Sequence, residues 1–277
     1  VDAVADVARE QGAEIETGVE VEGITGSAGN FSLATDAGDR RADVVVSNAN
    51  PAYVDRELLE SSARNHDPDY WESQTYAPSA LLLYLGVEGD VDPLRHHSLV
   101  LPTDWDPHFE QIFDDPAWPD DPAYYLSVTS KTDDTVAPDG HHAVVVLVPI
   151  APGLDDSPEQ RAEYREFVLE DLADRTGVDL RDRIVVEESA CVNDFTTRFG
   201  DPDGTALGLA HTLRQTGPLR PDRRGGTTGL YYAGAYTRPG VGMPMCLISG
   251  EHTARAIVED APVPGASPSK PRPDSTS

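Results

Sequence analysis

Residues 229–260, GLYYAGAYTRPGVGMPMCLISGEHTARAIVED, restrict the possible folds more than any other stretch of this chain. Leu230–Ala233 is a short apolar, aromatic run that stops at Gly234, the pattern of a buried strand. A loop follows in which Gly240 and Gly242 stand beside Pro239 and Pro244. Met245–Asp260 then places apolar residues at Leu247, Ile248, Ala254, Ile257 and Val258, which predicts a helix. Pro244 suits a first helical turn, where its missing N–H is no loss, and Pro262 and Pro264 mark the far end. A strand, a glycine loop and a helix N-terminus let backbone approach a ligand closely, because glycine has no Cβ in the way. The N–H groups of a first turn favour an anion or an electron-rich ring edge. The same glycines suit a tight strand-to-helix turn with no ligand equally well.

The order of the residues narrows this choice. Gly234, Ala235, Thr237, Pro239, Gly240, Gly242 and Pro244 resemble the G-A-x-T-x-P-G-x-G-x-P signature of the phytoene desaturase family. Its members are FAD-dependent carotenoid desaturases and isomerases within the amine-oxidase-like flavoproteins. Far upstream, Ala42–Leu59 (ADVVVSNANPAYVDRELL) resembles the family's A-D-x-V-V-S-N-A-x-P segment and the helix after it. Together the motifs extend the resemblance over about residues 1–262. It implies an α/β (α+β) fold, the C-terminal part of a two-domain FAD-dependent oxidoreductase in which cofactor-domain segments flank a mixed-sheet substrate domain. In these terms residues 1–75 are a cofactor-domain segment and 76–192 the substrate domain. Residues 193–260 return to the cofactor domain, and 261–277 form a disordered tail rich in Pro, Ser and charge. FAD is the implied cofactor. The resemblance brings backbone near Val21 to its adenine, and Gly234, Ala235, Gly240, Gly242, Met243, Pro244 and Met245 to the signature contacts. Without the resemblance, Val21 reads as an ordinary core strand residue.

One family feature is missing. No G-x-G-x-x-G follows a strand, so the glycine turn that holds a dinucleotide pyrophosphate is not in this sequence. Val1–Gln11 reads as a helix already under way, and the expectation is a fragment that does not hold FAD tightly alone.

Charge sets a second boundary. With 49 Asp and Glu against 21 Lys and Arg, the formal net charge is -28. That argues against nucleic acid, which needs a basic face. Self-repulsion on this scale weakens a compact fold at low salt, and the simplest account is a halophilic protein working where the Debye length falls to about 3 Å or less. Cys191 and Cys246 do not make a disulfide framework. No apolar run reaches the roughly 18 residues that a spanning helix needs.

Between the two motifs, Ala80–Val87, Tyr124–Thr129, Ala143–Ile150 and Ile184–Cys191 read as strands, and Ser157–Thr176 as a helix with Ser157 as N-cap and Gly177 as its end. Nearer the start, Glu14–Ile24 reads as a bent strand or strand pair. Phe31–Asp36 and Asp43–Ser47 read as strands around the Gly38–Asp39 turn, with Val44–Val46 buried on both faces. Asn48 is a candidate ligand contact or a residue that satisfies its own loop. The pairs His96–His97 and His141–His142 are poorly placed for a metal, because neighbours on a strand point to opposite faces; no metal site is expected. Phe195 and Phe199 are candidates for lining a polyene tunnel or for ordinary core, and Asp194 and Arg198 are the nearest polar candidates for proton handling. No catalytic residue is assigned.

The resemblance implies desaturation of an apolar C40 polyene, in a cytoplasmic protein attached peripherally to a membrane. Another amine-oxidase-like flavoenzyme, or a truncated module that binds without catalysis, are the alternatives. The sequence sets no oligomeric state.

Overall fold

The computed structural model describes residues 1–261; apart from Ala261, the expected tail lies outside the described residues. In chain order the elements begin with α1 (Asp2–Glu10), β1 (Val21–Thr25), β2 (Phe31–Thr35), β3 (Arg40–Ala42), β4 (Val45–Ser47) and α2 (Pro51–Tyr53). The helix α2 runs on as a π-helical turn, Val54–Leu58. Next come α3 (Pro68–Glu72), β5 (Ser79–Glu88), β6 (His97–Val100), α4 (Trp105–Phe109), β7 (Tyr124–Val128) and β8 (His141–Ile150). A second π-helical turn, Glu110–Asp114, continues α4. Then follow α5 (Pro158–Thr176), β9 (Ile184–Ala190), α6 (Val192–Phe199), β10 (Leu230–Tyr232) and α7 (Met243–Asp260). The chain divides into two compact units: residues 1–68 with the chain from Pro221 onward, and residues 69–220. The units change over after Pro68 and Arg220, whereas the sequence reading places its boundaries at 75 and 192.

In the second unit five strands form one sheet in the order β6-β7-β8-β5-β9. Every neighbouring pair is antiparallel. The mixed sheet expected in this block is corrected accordingly, and the parallel pairing belongs to the other unit. Side chains alternate across a strand, so Leu81, Leu83, Leu85 and Val87 share one face with Val144, Val146, Val148 and Ile150. That face packs on Tyr164, Val168, Leu169 and Leu172 of α5. The Ser157 side chain accepts from Gln160 N, Pro158 occupies the first turn and Gly177 closes α5 in the left-handed region at φ 75°. All four expected strands form within one or two residues of their reading. The sequence missed β6, four residues with too short an apolar run to register.

The first unit is built from smaller pieces. A three-stranded antiparallel sheet, β1-β2-β3, lies beside a parallel pair, β4 with β10. Three expectations change here. The far side of the Gly38–Asp39 turn is taken by β3, while β4 leaves to pair with β10. Only Val45 of the triplet is buried, and Val44 and Val46 are exposed, because β4 has cover on one face alone. Of Glu14–Ile24, only the part from Val21 is strand. The core comprises Ile24, Phe31, Val45, Val54, Leu58, Leu59, Leu230 and Tyr232. The helix α1 buries no residue.

Candidate functional site

The strand–loop–helix predicted from residues 229–260 forms, with α7 starting two residues earlier than expected. Its helix is turned unexpectedly. Leu247 and Val258, two of the apolar residues that predict the helix, are 67% and 76% exposed, and the buried residues are Ser249, Thr253 and Ala256. The cause is the backbone beneath. Thr253 Oγ1 donates to Tyr232 O at 2.9 Å, and Gly234 N donates to Ser249 Oγ at 3.0 Å. Thr237 Oγ1 lies 2.7 Å from Ser249 Oγ and 3.1 Å from Gly234 O. Leaving a strand, the chain has polar groups that lose water, and buried polar groups must be paired. Ser249, Thr253 and Thr237 do this pairing. The signal for two of them was available: hydroxyls at i and i+4, Ser249 and Thr253, on one face of the helix.

Two further residues tie the start of the loop to the β4 side. Asn48 Nδ2 donates to Ala233 O at 2.8 Å, and Asn50 Nδ2 donates to Tyr236 Oη at 2.9 Å. Asn50 Oδ1 also caps α2 by accepting from Ala52 N at 2.8 Å. A Cβ on Gly234 would overlap the Asn48 amide. Gly234 is therefore small to admit Asn48, and Asn48 serves the loop rather than standing open to a ligand. Tyr232 buries its hydroxyl without a partner among the described residues, and burial, with a smaller effect from Asp55, raises its pKa and keeps it a phenol.

The tip of the loop is different. Gly240 and Gly242 adopt φ of 130° and 122°, a region that residues with a side chain rarely enter. Gly242 is thus required by conformation before any ligand is considered, and a Cβ there would meet only Met245 Cγ, at 3.8 Å. Gly242, Met243 and Pro244 are exposed, Ala235 and Met245 are half-buried, and Gly240 is buried. No side chain caps α7. An uncapped helix of 18 residues, with an 85% exposed Met243 in its first turn, presents partial positive charge in an apolar setting. Cys246, half-buried, follows in that turn. Val21 is half-buried at the start of β1, opposite Thr35.

A cavity of about 540 Å³ lies elsewhere in this unit, lined by Arg224–Tyr231, Ile257 and Asp260. Its glycines answer to neighbours in the protein: a Cβ on Gly226 would press on Arg64 O, and one on Gly229 on Ala28. Arg224 there is held by Asp260 at 2.7 Å.

The second unit offers an apolar sheet face. Antiparallel partners stand on the same side, so Leu99, Tyr125, Leu147, Leu82 and Ala190 form one row across all five strands on the face away from α5. At about 4.8 Å between strands the row spans roughly 19 Å. The next row, His97, Ser127, Val145, Tyr84 and Glu188, is more polar. Antiparallel sheets with a wet second face normally alternate apolar with polar residues; β8 does not, since Val145 and Leu147 face outward while Val144, Val146 and Val148 face the core.

Other candidates are taken up by structure. Asp194 accepts from Cys191 N at 2.9 Å, closing the first turn of α6, and pairs with Arg161 at 2.9 Å. Arg161 also clasps Asp156, whose carboxylate is buried. Burial next to Asp156 pushes the Cys191 thiol up to about 12. Arg198 sits over the Phe199 ring at 5.9 Å, and Phe195 stacks on Phe199 at 6.4 Å. The core reading of Phe199 is corrected, because it is 54% exposed. Each histidine of the two pairs finds its own partner: His96 with Thr132, His97 with Tyr125, His141 with Asp139 O, and His142 with Ser130.

Solved structures share this fold. An oxidoreductase from Methanosarcina mazei matches with a TM-score of 0.58 at 18% identity, over 92% of this chain and 53% of that one. Putrescine oxidase matches with a TM-score of 0.58 at 12% identity, over 94% and 52%. The chain belongs to the flavin containing amine oxidoreductase family, which residues 1–258 match. It is 61% identical over 262 residues to a carotenoid 3,4-desaturase of Haloarcula japonica, covering 94% of this chain and 53% of that protein. It is 31% identical to a zeta-carotene-forming phytoene desaturase of Myxococcus xanthus, covering 96% and 52%. The chain spans about half the length of these relatives.

Proposed function

We propose that this chain is part of an FAD-dependent carotenoid desaturase, acting on an apolar polyene. The observation that carries the reading is the 61% identity to the Haloarcula japonica protein across nearly the whole chain. Residues at the loop tip fit a flavin. The positive-φ glycines and the uncapped α7 bring backbone donors, with no side chain in front of them, to an exposed apolar edge. Gly240, Gly242, Met243, Pro244 and Met245 would hold the ring, and backbone near Val21 the adenine. Gly234 and Ala235 shape the loop from behind. The pyrophosphate turn is not in this sequence, so these residues fit one part of the cofactor.

When bound, the flavin supplies the hydride acceptor for removing two hydrogens from an allylic carbon–carbon bond. The protein's own part is orientation and dryness. First-turn N–H groups of α7 would stabilise negative charge beside them by about 0.3–2 kcal/mol. The row Leu99–Tyr125–Leu147–Leu82–Ala190 offers a polyene a surface that excludes water. Exposed Phe199, with half-buried Phe195 stacked on it, adds aromatic surface in the same unit.

The units then divide the work, with residues 1–68 and 221–260 as cofactor segments and 69–220 as the substrate part. The net charge of -28 and the Haloarcula japonica relative support a protein adapted to molar salt. Contact with a membrane is proposed to be peripheral, since no helix among the described residues is long and apolar enough to cross one. The test is a chimera in which the N-terminal half of the Haloarcula japonica relative precedes Val1. Purified in 3 M KCl, it is expected to show a flavin absorbance spectrum and to lengthen the conjugation of an added carotenoid. A folded chimera without flavin would refute the reading.

A further inference from the structure

The second unit carries an exposed aromatic surface outside its core, next to the end of the polyene row at Leu99. Trp105, Phe109 and Phe113 recur every fourth residue through α4 and its π-helical turn. Their rings follow one another at 5.4 Å and 6.1 Å, the first pair stacked. They are 39%, 48% and 56% exposed. Leu99 on the edge strand β6 and Leu101 just after it are also exposed. The chain enters this stripe from the sheet end at which Leu99 closes the apolar row. His108 lies within the stretch, edge-on to Trp105, and is buried. Burial lowers its pKa, so it brings no positive charge at neutral pH.

The charges around the stripe say what can cover it. On its own stretch all are acidic: Asp104, Asp106, Glu110, Asp114 and Asp115. A second copy would set one acidic rim against another, in a chain whose net charge is already -28. A protein partner would need a basic counterpart. A lipid surface needs neither, because Trp and Phe side chains settle at the boundary between headgroups and acyl chains. The polyene of the proposed reaction dissolves in that same apolar layer.

We propose that Trp105, Phe109 and Phe113, with Leu99 and Leu101, form the surface by which the second unit docks on a lipid bilayer, by apolar insertion rather than by charge attraction. This rests on the reading of the substrate as an apolar polyene, yet vesicle binding is measured without turnover. A chimera that desaturates carotenoid while the chain ignores vesicles defeats the proposal alone; vesicle binding by a chain whose chimera lacks flavin defeats only the functional reading.

The chain of 277 residues in 3 M KCl is floated with phosphatidylcholine vesicles and with vesicles containing phosphatidylglycerol. Binding to the two is expected to agree within about twofold, since charge is screened beyond about 3 Å or less. The W105S/F109S/F113S variant is expected to bind at least about tenfold more weakly, with unchanged far-UV dichroism. W105F guards against a folding artefact. It is expected to float as before but to lose the fluorescence quenching that brominated lipids cause, because Trp71 is buried and Trp118 packs on the core. Failure to float, unchanged flotation of the triple variant, binding to anionic vesicles alone, or quenching that survives W105F each overturn the proposal. A lipid-free dimer abolished by the triple substitution would assign the stripe to a second copy instead.

Discussion

The two units solve the same problem in opposite ways. In the second unit a ten-residue strand pair, β5 with β8, lays its apolar face on α5, and large side chains such as Leu81, Val146, Leu169 and Leu172 are fully buried. In the first unit the helix beside the parallel pair buries Ser249, Thr253 and Ala256 and points Leu247 and Val258 outward. Val44 and Val46 are also left exposed, and α1 buries nothing. Parallel pairs are normally covered on both faces, and in the first unit one face of β4 is left bare. One unit is held by area, the other by hydrogen bonds to a turning backbone. Stability should therefore concentrate in the second, and ligand binding should matter more to the first.

The strongest attack on this contrast targets Asp156. Its carboxylate is buried, takes two bonds from Arg161 and accepts from Asn193 N at 2.9 Å. Asp156→Ala leaves Arg161 with Asp194 and Ser189 as its remaining partners, and is expected to cost about 3–5 kcal/mol in denaturant unfolding. A loss below about 1 kcal/mol would show that area alone holds the second unit.

Slightly smaller effects separate the units directly. Leu81→Ala is expected to cost about 2–5 kcal/mol, whereas Leu247→Ala should stay within about 0.5 kcal/mol. Equal losses would mean that Leu247 is covered in solution. Ser249→Ala removes the acceptor of Gly234 N and the neighbour of Thr237, and about 1–3 kcal/mol should be lost. Hydrogen exchange at Gly234 should rise in that variant while β8 stays protected.

These comparisons bear on what the sequence could tell. The second unit was legible because its signals are local: period-two apolar runs, Ser157 before Pro158, and Gly177 at a left-handed end. The first was harder. Whether Val44 and Val46 are buried depends on whether a neighbour covers that side of β4, and periodicity does not encode neighbours. The inward face of α7 does not follow from apolar spacing for a similar reason. Apolar spacing chose Leu247 and Val258, but the carbonyl of Tyr232 and the amide of Gly234 needed hydroxyls. At the loop, the structure supplies, for two glycines, reasons that the motif does not contain. Gly234 is small for Asn48, and Gly242 is glycine for its φ of 122°.

The smallest expected effect concerns pH. Burial lowers the pKa of His66 in the first unit and of His108 in the second below 6.5. The unfolded chain takes up protons near 6.5 that the folded chain refuses, so this share of stability is complete above 6.5 and falls as pH drops through the lowered values. Unfolding at pH 7.5 and 5.5 measures the sum, and His108→Gln should remove only the second unit's share. A stability that rises between 7.5 and 5.5 in proportion to these residues would reverse the assignment.

The central claim, that the first turn of α7 faces the electron-rich edge of a flavin, is tested by Met243→Glu in the chimera with the relative's N-terminal half. Met243 is 85% exposed, so the change disturbs no core. A carboxylate in a first helical turn stabilises the helix by about 0.3–1 kcal/mol, but it repels negative charge held at the same terminus. The two effects have opposite signs. The prediction is an unchanged or slightly raised melting temperature of the flavin-free protein together with flavin bound about 3- to 30-fold more weakly, the equivalent of ~0.7–2 kcal/mol. Flavin bound as tightly as in the parent chimera, with the helix stabilised, would contradict the claim.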